Sequence, residues 1–584
     1  MATEKNLLDR VLRTAAYVGM HLRLVGAGLL AALSTASAQG GRDTTTGFEI
    51  RDSLTIAKCA GCHARDSTGK YLGRLSYLRK TPEGWETSVR RMMTLQKVNV
   101  APAEARAIVR YLADNLGIAP AEARPGRFEV ERRIVDYRYT ADTRTETTCR
   151  ACHTMGRVIT QRRTRPEWEL LVAMHRGYYP GVDNQGFRRP GPPPPDSAGA
   201  PHPMDLAITH LARAFPLRTP EWAAWSATMR PPPIEGTWIL SGTEPGKGPF
   251  YGRLTITNAG RAEYTTRATY RYARSGQMVT RDGRSTVYTG FQWRGRSTAG
   301  GQQWREVVFV EPGWQEMSGR WFRGDYDEFG IDVTIRRMTP AIVALGVSPK
   351  GLRTNAAGQE LTIFGANLPN TAQALALDLG PGIRVERVIR ASPDSVSVRV
   401  AVDSNASIGL RDVFVAGTSL SGAVAVYDKI DRIRVLPRHG MARVGGVNFP
   451  KQFVQFEAVA YHDGLDRRPE TADDLDLGVV PVGWTLEEYA VTFDDDDIKF
   501  VGNIDRNGLF TPNVDGPNPQ RSGQRNNIGD VWVVATYTPN TAGAKPMKAR
   551  SLLVSTVPLY MRWEPWRVDD AKAAPTRSGG APPR

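Results

Sequence analysis

Between Trp238 and about Met338, apolar and polar residues alternate in short runs separated by Gly, Asn and Asp: GTWILSG, YGRLTITNAG, RAEYTTRATYRYA, STVYTGFQWRG, WREVVFVE, MSGRWFRG and GIDVTIRRM. Alternation with period two sends one face of each run to a core and the other to water, and the turn residues favour antiparallel neighbours. Seven or eight such strands predict a small up-and-down barrel, open or closed, either filled by its own side chains or holding a ligand. The stretches AIVALGVSPKGLRTNAAGQELTIFGANLP, SVSVRVAVD and GLRDVFVAG then have the strand spacing of an immunoglobulin-like β-sandwich. A second sandwich of that kind is predicted from about Leu436, through FVQFEAVAYHDG, YAVTFDDDDIKFVGNIDRNGLFTP and GDVWVVATYTP. Neither contains a cysteine, so neither has the internal disulfide of antibody domains.

Upstream the period changes to that of a helix, and the pattern occurs twice. TPEGWETSVRRMMTLQKVNVAPAEARAIVRYLADNLG and TRPEWELLVAMHRGYY each start with Pro-Glu, which suits a helix N-terminus, and continue through a tryptophan into an amphipathic helix. Each closes with another helix, AIVRYLADNL or AITHLARAFPL. Trp85, Val89 and Met92 share one face at i, i+4 and i+7, as do Trp168, Val172 and His175.

The N-terminus departs from both patterns. Basic residues at 5, 10, 13 and 23, an apolar run and Ala36-Ser37-Ala38 read as a secretory signal peptide cleaved before Gln39. Leu24 to Leu33 is too short to span a bilayer, so an exported soluble protein is expected, periplasmic in a bacterial cell. Cleavage takes the formal charge from +16 to about +14, because the leader holds four basic and two acidic residues. An exported protein meets no nucleic acid routinely, so the excess is either solvated arginine or an attraction for an acidic partner. A chain of 584 residues, 41% hydrophobic and 23% charged, is that of an ordinary globular protein divided into three or four domains.

All four cysteines lie in two copies of one motif, KCAGCHARDSTGKYLG and TCRACHTMGRV. A thioredoxin-like dithiol needs a βαβ context that neither copy has, and a zinc ribbon pairs knuckles about 15–20 residues apart, far closer than Cys62 and Cys149. Covalent c-type haem remains: Cys59 and Cys62, then Cys149 and Cys152, bond the vinyl groups, while His63 and His153 ligate iron. Aligning Trp85 with Trp168 sets Met92 against His175, the expected distal ligands of the first and second haem. Met93 is the alternative in the first copy, and Met174, His202 and His210 in the second. A thioether raises the potential, so electrons are expected to run from the His153/His175 haem to the His63/Met92 haem. With both distal positions filled, neither haem is open to substrate. The resulting division is a signal peptide at 1–38, a helical dihaem cytochrome c domain at 39–228, an antiparallel β-barrel at 229–339, immunoglobulin-like domains at 340–435 and 436–566, and a disordered tail at 567–584.

Other chemistry is sparse. Asp494 to Asp497 and Asp505-Arg506-Asn507-Gly508 resemble calcium-loop fragments, but the latter lacks the distal Glu and flanking helices, so turns with solvated carboxylates are expected. No Gly-x-Ser-x-Gly or His-Glu-x-x-His is present.

A dihaem cytochrome c followed by a barrel and two immunoglobulin-like domains resembles the α subunit of quinohaemoprotein amine dehydrogenase across essentially the whole mature chain. The residues carrying the resemblance are Cys59, Cys62 and His63 with Trp85 and Met92, Cys149, Cys152 and His153 with Trp168 and His175, and the domain order behind them. It implies a periplasmic heterotrimer that deaminates primary amines to aldehyde and ammonia. It further implies a β-propeller partner, a small γ subunit bearing cysteine tryptophylquinone, and a soluble acceptor such as a cupredoxin or cytochrome c. This chain would carry electrons and hold no catalytic residue. A dihaem peroxidase, and a stand-alone carrier with adhesive β-domains, are the rival classes.

Overall fold

The computed structural model describes residues 45–128, 139–150, 155–178, 203–323, 328–447, 449–490, 496–540 and 543–558. The leader at 1–38, Cys152, His153, His202, Asp494, Asp495 and the tail from 567 lie outside the described residues.

The helical region is built from short, firmly capped elements. Helix α1 (Ser53–Cys59) starts at Asp52, whose carboxylate accepts the Thr55 amide at 2.7 Å. Helices α2 (Pro82–Thr94), α3 (Pro102–Asn115) and α4 (Pro120–Ala123) each begin on proline, where no amide is needed. Thr81 caps the first of these, and Glu104 and Glu122 fold back onto the amides of Ala101 and Ala119 in the other two. Further on come α5 (Thr143–Arg150), α6 (Gly156–Ile159), α7 (Arg165–Tyr178), α8 (Pro203–Ala214) and α9 (Pro220–Thr228). Two separate cores form, one around Trp85, Val89, Ile108 and Leu112, the other around Trp168, Ile208, Leu211 and Phe215. The internal repeat is thus two half-domains, each packed on its own tryptophan.

The halves join through a two-stranded ribbon, β1 (Leu78–Lys80) against β2 (Gln161–Arg163). In the register that equates Trp85 with Trp168, Arg79 corresponds to Arg162, and these two are direct partners in the ribbon. Leu78 pairs with Arg163 and Lys80 with Gln161, so a local two-fold axis runs through the Arg79–Arg162 pair. Both arginines converge on one buried carboxylate. Glu122 accepts two bonds from Arg79, both at 2.9 Å, and pairs with Arg162 Nε at 3.0 Å. It also accepts from Thr219 Oγ1 at 2.8 Å. Burial alone would raise this carboxyl, but the bonds and charge of Arg79, with Arg162, hold it down to about 2.

The barrel is closed and contains eight strands in chain order: β3 (Gly236–Glu244), β4 (Gly248–Gly260), β5 (Glu263–Tyr272), β6 (Met278–Tyr288), β7 (Gln292–Ala299), β8 (Gln302–Val310), β9 (Glu316–Arg323) and β10 (Glu328–Arg337). Closure comes from β10 pairing back onto β3, with Ile335 opposite Leu240. In β5 the expected alternation is complete, every second residue being buried. Aromatic side chains fill the lumen: Phe250, Tyr270 and Trp321 pack within 4.5–6.1 Å of one another. Arg281 lies between Trp304 and Trp321, 4.2 and 4.3 Å from the ring centroids. The cavity left beside it measures about 10 Å³, room for one water at most, so the barrel is filled by its own side chains. Trp321→Ala is expected to cost about 3–5 kcal/mol, read from chemical unfolding of the full chain.

The helical region is seated on this barrel. Asp114 accepts the Thr289 amide at 2.6 Å, Trp225 Nε1 donates to Thr289 O at 2.9 Å, and Arg294 of β7 pairs with Glu83 of α2. The approach at the end of α3 requires glycine: a Cβ on Gly117 would lie 2.2 Å from Ala113 O and 3.0 Å from the Thr289 side chain.

After the barrel, strands β11 (Val343–Ser348), β12 (Gly351–Arg353), β13 (Ala356–Ala366), β14 (Ile383–Ser392), β15 (Ser395–Val402), β16 (Gly409–Val415) and β17 (Thr418–Tyr427) form two sheets, ordered β11-β13-β15-β14 and β12-β17-β16. Ile363 and Val398 from one sheet and Val413 and Val424 from the other share a single core. The C-terminal unit contains a four-stranded sheet and two three-stranded ones around Phe456, Phe510 and Val533. Here one expectation is corrected. Asp497, at the end of the acidic run, is not solvated: it is 6% exposed, paired with Arg521, and accepts the Asp530 amide at 3.0 Å. The buried guanidinium of Arg521 demands a carboxylate, and Asp497 supplies it. Asp505 accepts the amides of Asn507 and Leu509 in a turn. Among the described residues no group of three or more His, Cys, Asp or Glu could hold a metal ion, and no helix is long and apolar enough to cross a membrane.

Candidate haem site

The first Cys-x-x-Cys-His motif begins as α1 ends. Cys59 O accepts the amides of Cys62 at 3.2 Å and His63 at 2.9 Å, which folds the motif into a tight turn. Cys59 and His63 thereby line a common cavity of about 460 Å³, a cofactor-sized space. Trp85, Val89 and Met92 of α2 line it too. Met93 points instead into the hydrophobic core of the first half.

The titratable groups are set for ligation. His63 Nδ1 donates to Gly73 O at 2.9 Å, which fixes the tautomer and leaves Nε2 for a metal. Burial keeps its pKa below the ordinary histidine value, so the ring is neutral and its lone pair available. Burial, assisted by Asp52 and Cys62, pushes the Cys59 thiol up to about 11.

In the second half, Cys149 packs against the core around Trp168, and the partners Cys152 and His153 lie outside the described residues. His175 Nδ1 donates to Leu171 O at 2.8 Å, the same tautomer as His63, and burial likewise lowers its pKa. The alternatives fall elsewhere. His210 Nε2 is 2.5 Å from the Tyr139 hydroxyl, and Met174 lies on the wall of the first half's cavity, its sulfur 2.9 Å from Arg91 Nη1. Trp168 is fully buried and its Nε1 finds no acceptor among the described residues, a costly state that a polar cofactor edge would relieve.

A further repeat accompanies the motifs. Seven residues before each first cysteine stands an aspartate, Asp52 or Asp142, and three residues after it a threonine, Thr55 or Thr145. Thr55 Oγ1 donates to Asp52 at 2.7 Å and Thr145 Oγ1 to Asp142 at 2.6 Å, and both threonines are fully buried. The signal D-x-x-T-x-x-x-C-x-x-C-H was available in the sequence and escapes a reading centred on the cysteines.

A cavity presenting the Cys59 thiol of a Cys-x-x-Cys-His turn, an oriented neutral imidazole and a thioether, in front of a closed barrel and further β units, fits haem and defines a multidomain haem-binding protein. The family models place it more narrowly. The haem-binding model of quinohemoprotein amine dehydrogenase A, alpha subunit, matches residues 50–191, and the models for alpha-subunit domains II, III and IV match 231–338, 340–428 and 433–567. This chain belongs to the quinohemoprotein amine dehydrogenase alpha-subunit family, subunits of an oxidoreductase built from several chains. No curated protein matches it. Among solved structures, a de novo fluorescence-activating β-barrel is 18% identical over 18% of this chain and 93% of its own, with a TM-score of 0.15. Human mucin-like protocadherin EC1-2 is 15% identical over 38% and 100%, also at 0.15. Likenesses this slight carry no weight for fold or function.

Proposed function

We propose that this chain is the dihaem electron-carrying subunit of a periplasmic amine dehydrogenase that converts primary amines to aldehyde and ammonia. The observation that carries the reading is the single cavity walled by Cys59, His63 and Met92. Cys59 and Cys62 would hold the first c-type haem, with His63 and Met92 as axial ligands. Cys149, Cys152, His153 and His175 would do the same for the second. When bound, each haem supplies a one-electron iron couple. The chain's own residues attach it, set the imidazole tautomer and line a largely apolar pocket around it. Met92 at the pocket wall would supply the second axial ligand, and a haem so held would carry electrons and have no open site for a peroxidase role.

Under this reading a cysteine tryptophylquinone on a small γ subunit would be the electron source, His153 and His175 would hold the lower-potential haem nearer it, His63 and Met92 the higher-potential haem, and a cupredoxin or cytochrome c would be the acceptor. A β-propeller subunit completes the assembly, and residues 1–38 direct export. The boundaries at 228, 339, 435 and 566 separate the haem domain, the barrel and two immunoglobulin-like domains. The β11-β13-β15-β14 order, with β12 parallel to β17, supports that assignment for the first of the two.

Native purification tests the proposal: the chain should travel with two smaller subunits and carry two covalent haems, whereas a lone chain would overturn it. Met92→Ala is expected to lower the potential of one haem and abolish its thioether-to-iron absorption band. Met93→Ala should leave both spectra unchanged and cost about 2 kcal/mol of stability. Optical redox titration separates the two variants.

A further inference from the structure

The wall of the Cys59 cavity is strongly electropositive. Arg74, Lys80, Arg91 and Arg163 line it, and no carboxylate does so among the described residues. Lys80 and Arg163 are 8% and 4% exposed, and a buried cation is costly unless an anion faces it. The polar contacts of Lys80 Nζ are the Ser88 hydroxyl at 2.6 Å and the face of Trp85, 5.3 Å from the ring centroid, and neither is charged. Arg163 leans on the Gln161 amide oxygen at 2.6 and 3.1 Å and reaches Glu167 only at 3.8 Å. Glu167 is closer to Arg74, at 3.2 Å, while Arg91 is turned towards Met174. Among the described residues, Lys80 and Arg163 are therefore the two buried cations of this wall, Lys80 with no carboxylate contact and Arg163 with one only at 3.8 Å.

We propose that Lys80 and Arg163 form the subsite for the propionate carboxylates of the haem held by Cys59, one cation from each half of the helical region. The inference rests on the haem reading above. The propionates are the only charged groups at the haem periphery, and they lie on the edge away from the vinyl carbons that Cys59 and Cys62 bond. Lys80 and Arg163 are two-fold counterparts in the ribbon, each above the tryptophan of its own half. Arg163 nevertheless lines the cavity of the other half, so the ribbon orients the first haem by a contact across the axis. Burial, reinforced by Arg163 and Arg91, holds the Lys80 amine well below its ordinary pKa when no anion is present, and a carboxylate would restore its charge. Positive charge at the ring edge favours the reduced state, so the subsite raises the potential of this haem.

The test is Lys80→Met in the haem-loaded full chain. Both haems are expected to be retained, with the electron-exchange equilibrium of one shifted at least tenfold towards the oxidised form, about 59 mV. Lys80→Arg should restore most of the shift, a rescue that loss of packing alone would not give. Unchanged potentials in Lys80→Met would overturn the subsite while leaving the haem reading intact. Failure of that reading would show separately, as two covalent haems persisting after both Cys59 and Cys62 are replaced. Should Lys80→Met not accumulate, resonance Raman of the wild-type chain decides: the propionate bending modes should match strongly hydrogen-bonded carboxylates, and solvent-like modes would overturn the proposal.

Discussion

A Cys59→Ala/Cys62→Ala chain is expected to carry one covalent haem, against the two expected of the wild type, and its amine-driven electron delivery should fall to background. The motif turn, with Cys59 O accepting two amides, exists to present thiol and imidazole to one cavity. Without the thioethers the pocket of about 460 Å³ loses the group that fills it, and binding energy tied to a folded site is lost with the ligand. Intact-protein mass and the pyridine haemochrome spectrum measure haem number. The converse variant, Cys149→Ala/Cys152→Ala, should keep the other haem. Two haems in either variant would contradict the assignment.

Glu122→Gln should have the largest effect on stability. The carboxylate is buried and neutralises both Arg79, which is fully buried, and Arg162 across the two-fold axis. Removing its charge leaves two buried guanidinium groups facing each other, a loss of about 3–5 kcal/mol. The same group sets an acid limit. Its folded pKa of about 2 lies below the unfolded value of 4.5, so its stabilisation, about 3 kcal/mol, is fully present above pH 4.5. That stability drains away as pH falls from 4.5 towards 2. Acid unfolding followed by near-UV circular dichroism should show a wild-type loss in that window, and the Gln variant should lack this component.

What the chain disclosed and what it hid follow from range. The barrel was legible because alternation is local: in β5 each residue's own neighbours reveal its face. The haem-binding region was legible because the Cys-x-x-Cys-His spacing is local in the chain. That Met92 meets the cavity and Met93 the core was legible only through the repeat, since both lie on the same helix one position apart. Glu122 was hidden, because the arginines it serves stand 43 and 40 residues away and a Glu in AEAR reads as a solvated helix end. Lys80 and Arg163 were hidden for the same reason: basic residues beside helix starts look exposed until the ribbon buries them. Met174, weighed as a ligand for the second haem, faces the first half's cavity instead, a long-range placement no periodicity encodes. Asp497 was misread because four successive aspartates look uniformly solvated, and Arg521 singles out one of them.

The central claim is that this chain carries electrons away from amine oxidation. Adding butylamine or benzylamine to the intact oxidised complex in an anaerobic stopped-flow cell tests it most directly. The sharp bands of ferrous c-type haem should rise within turnover time, with two haem equivalents reduced per chain. Haems that remain ferric with amine, yet reduce with dithionite, would contradict it.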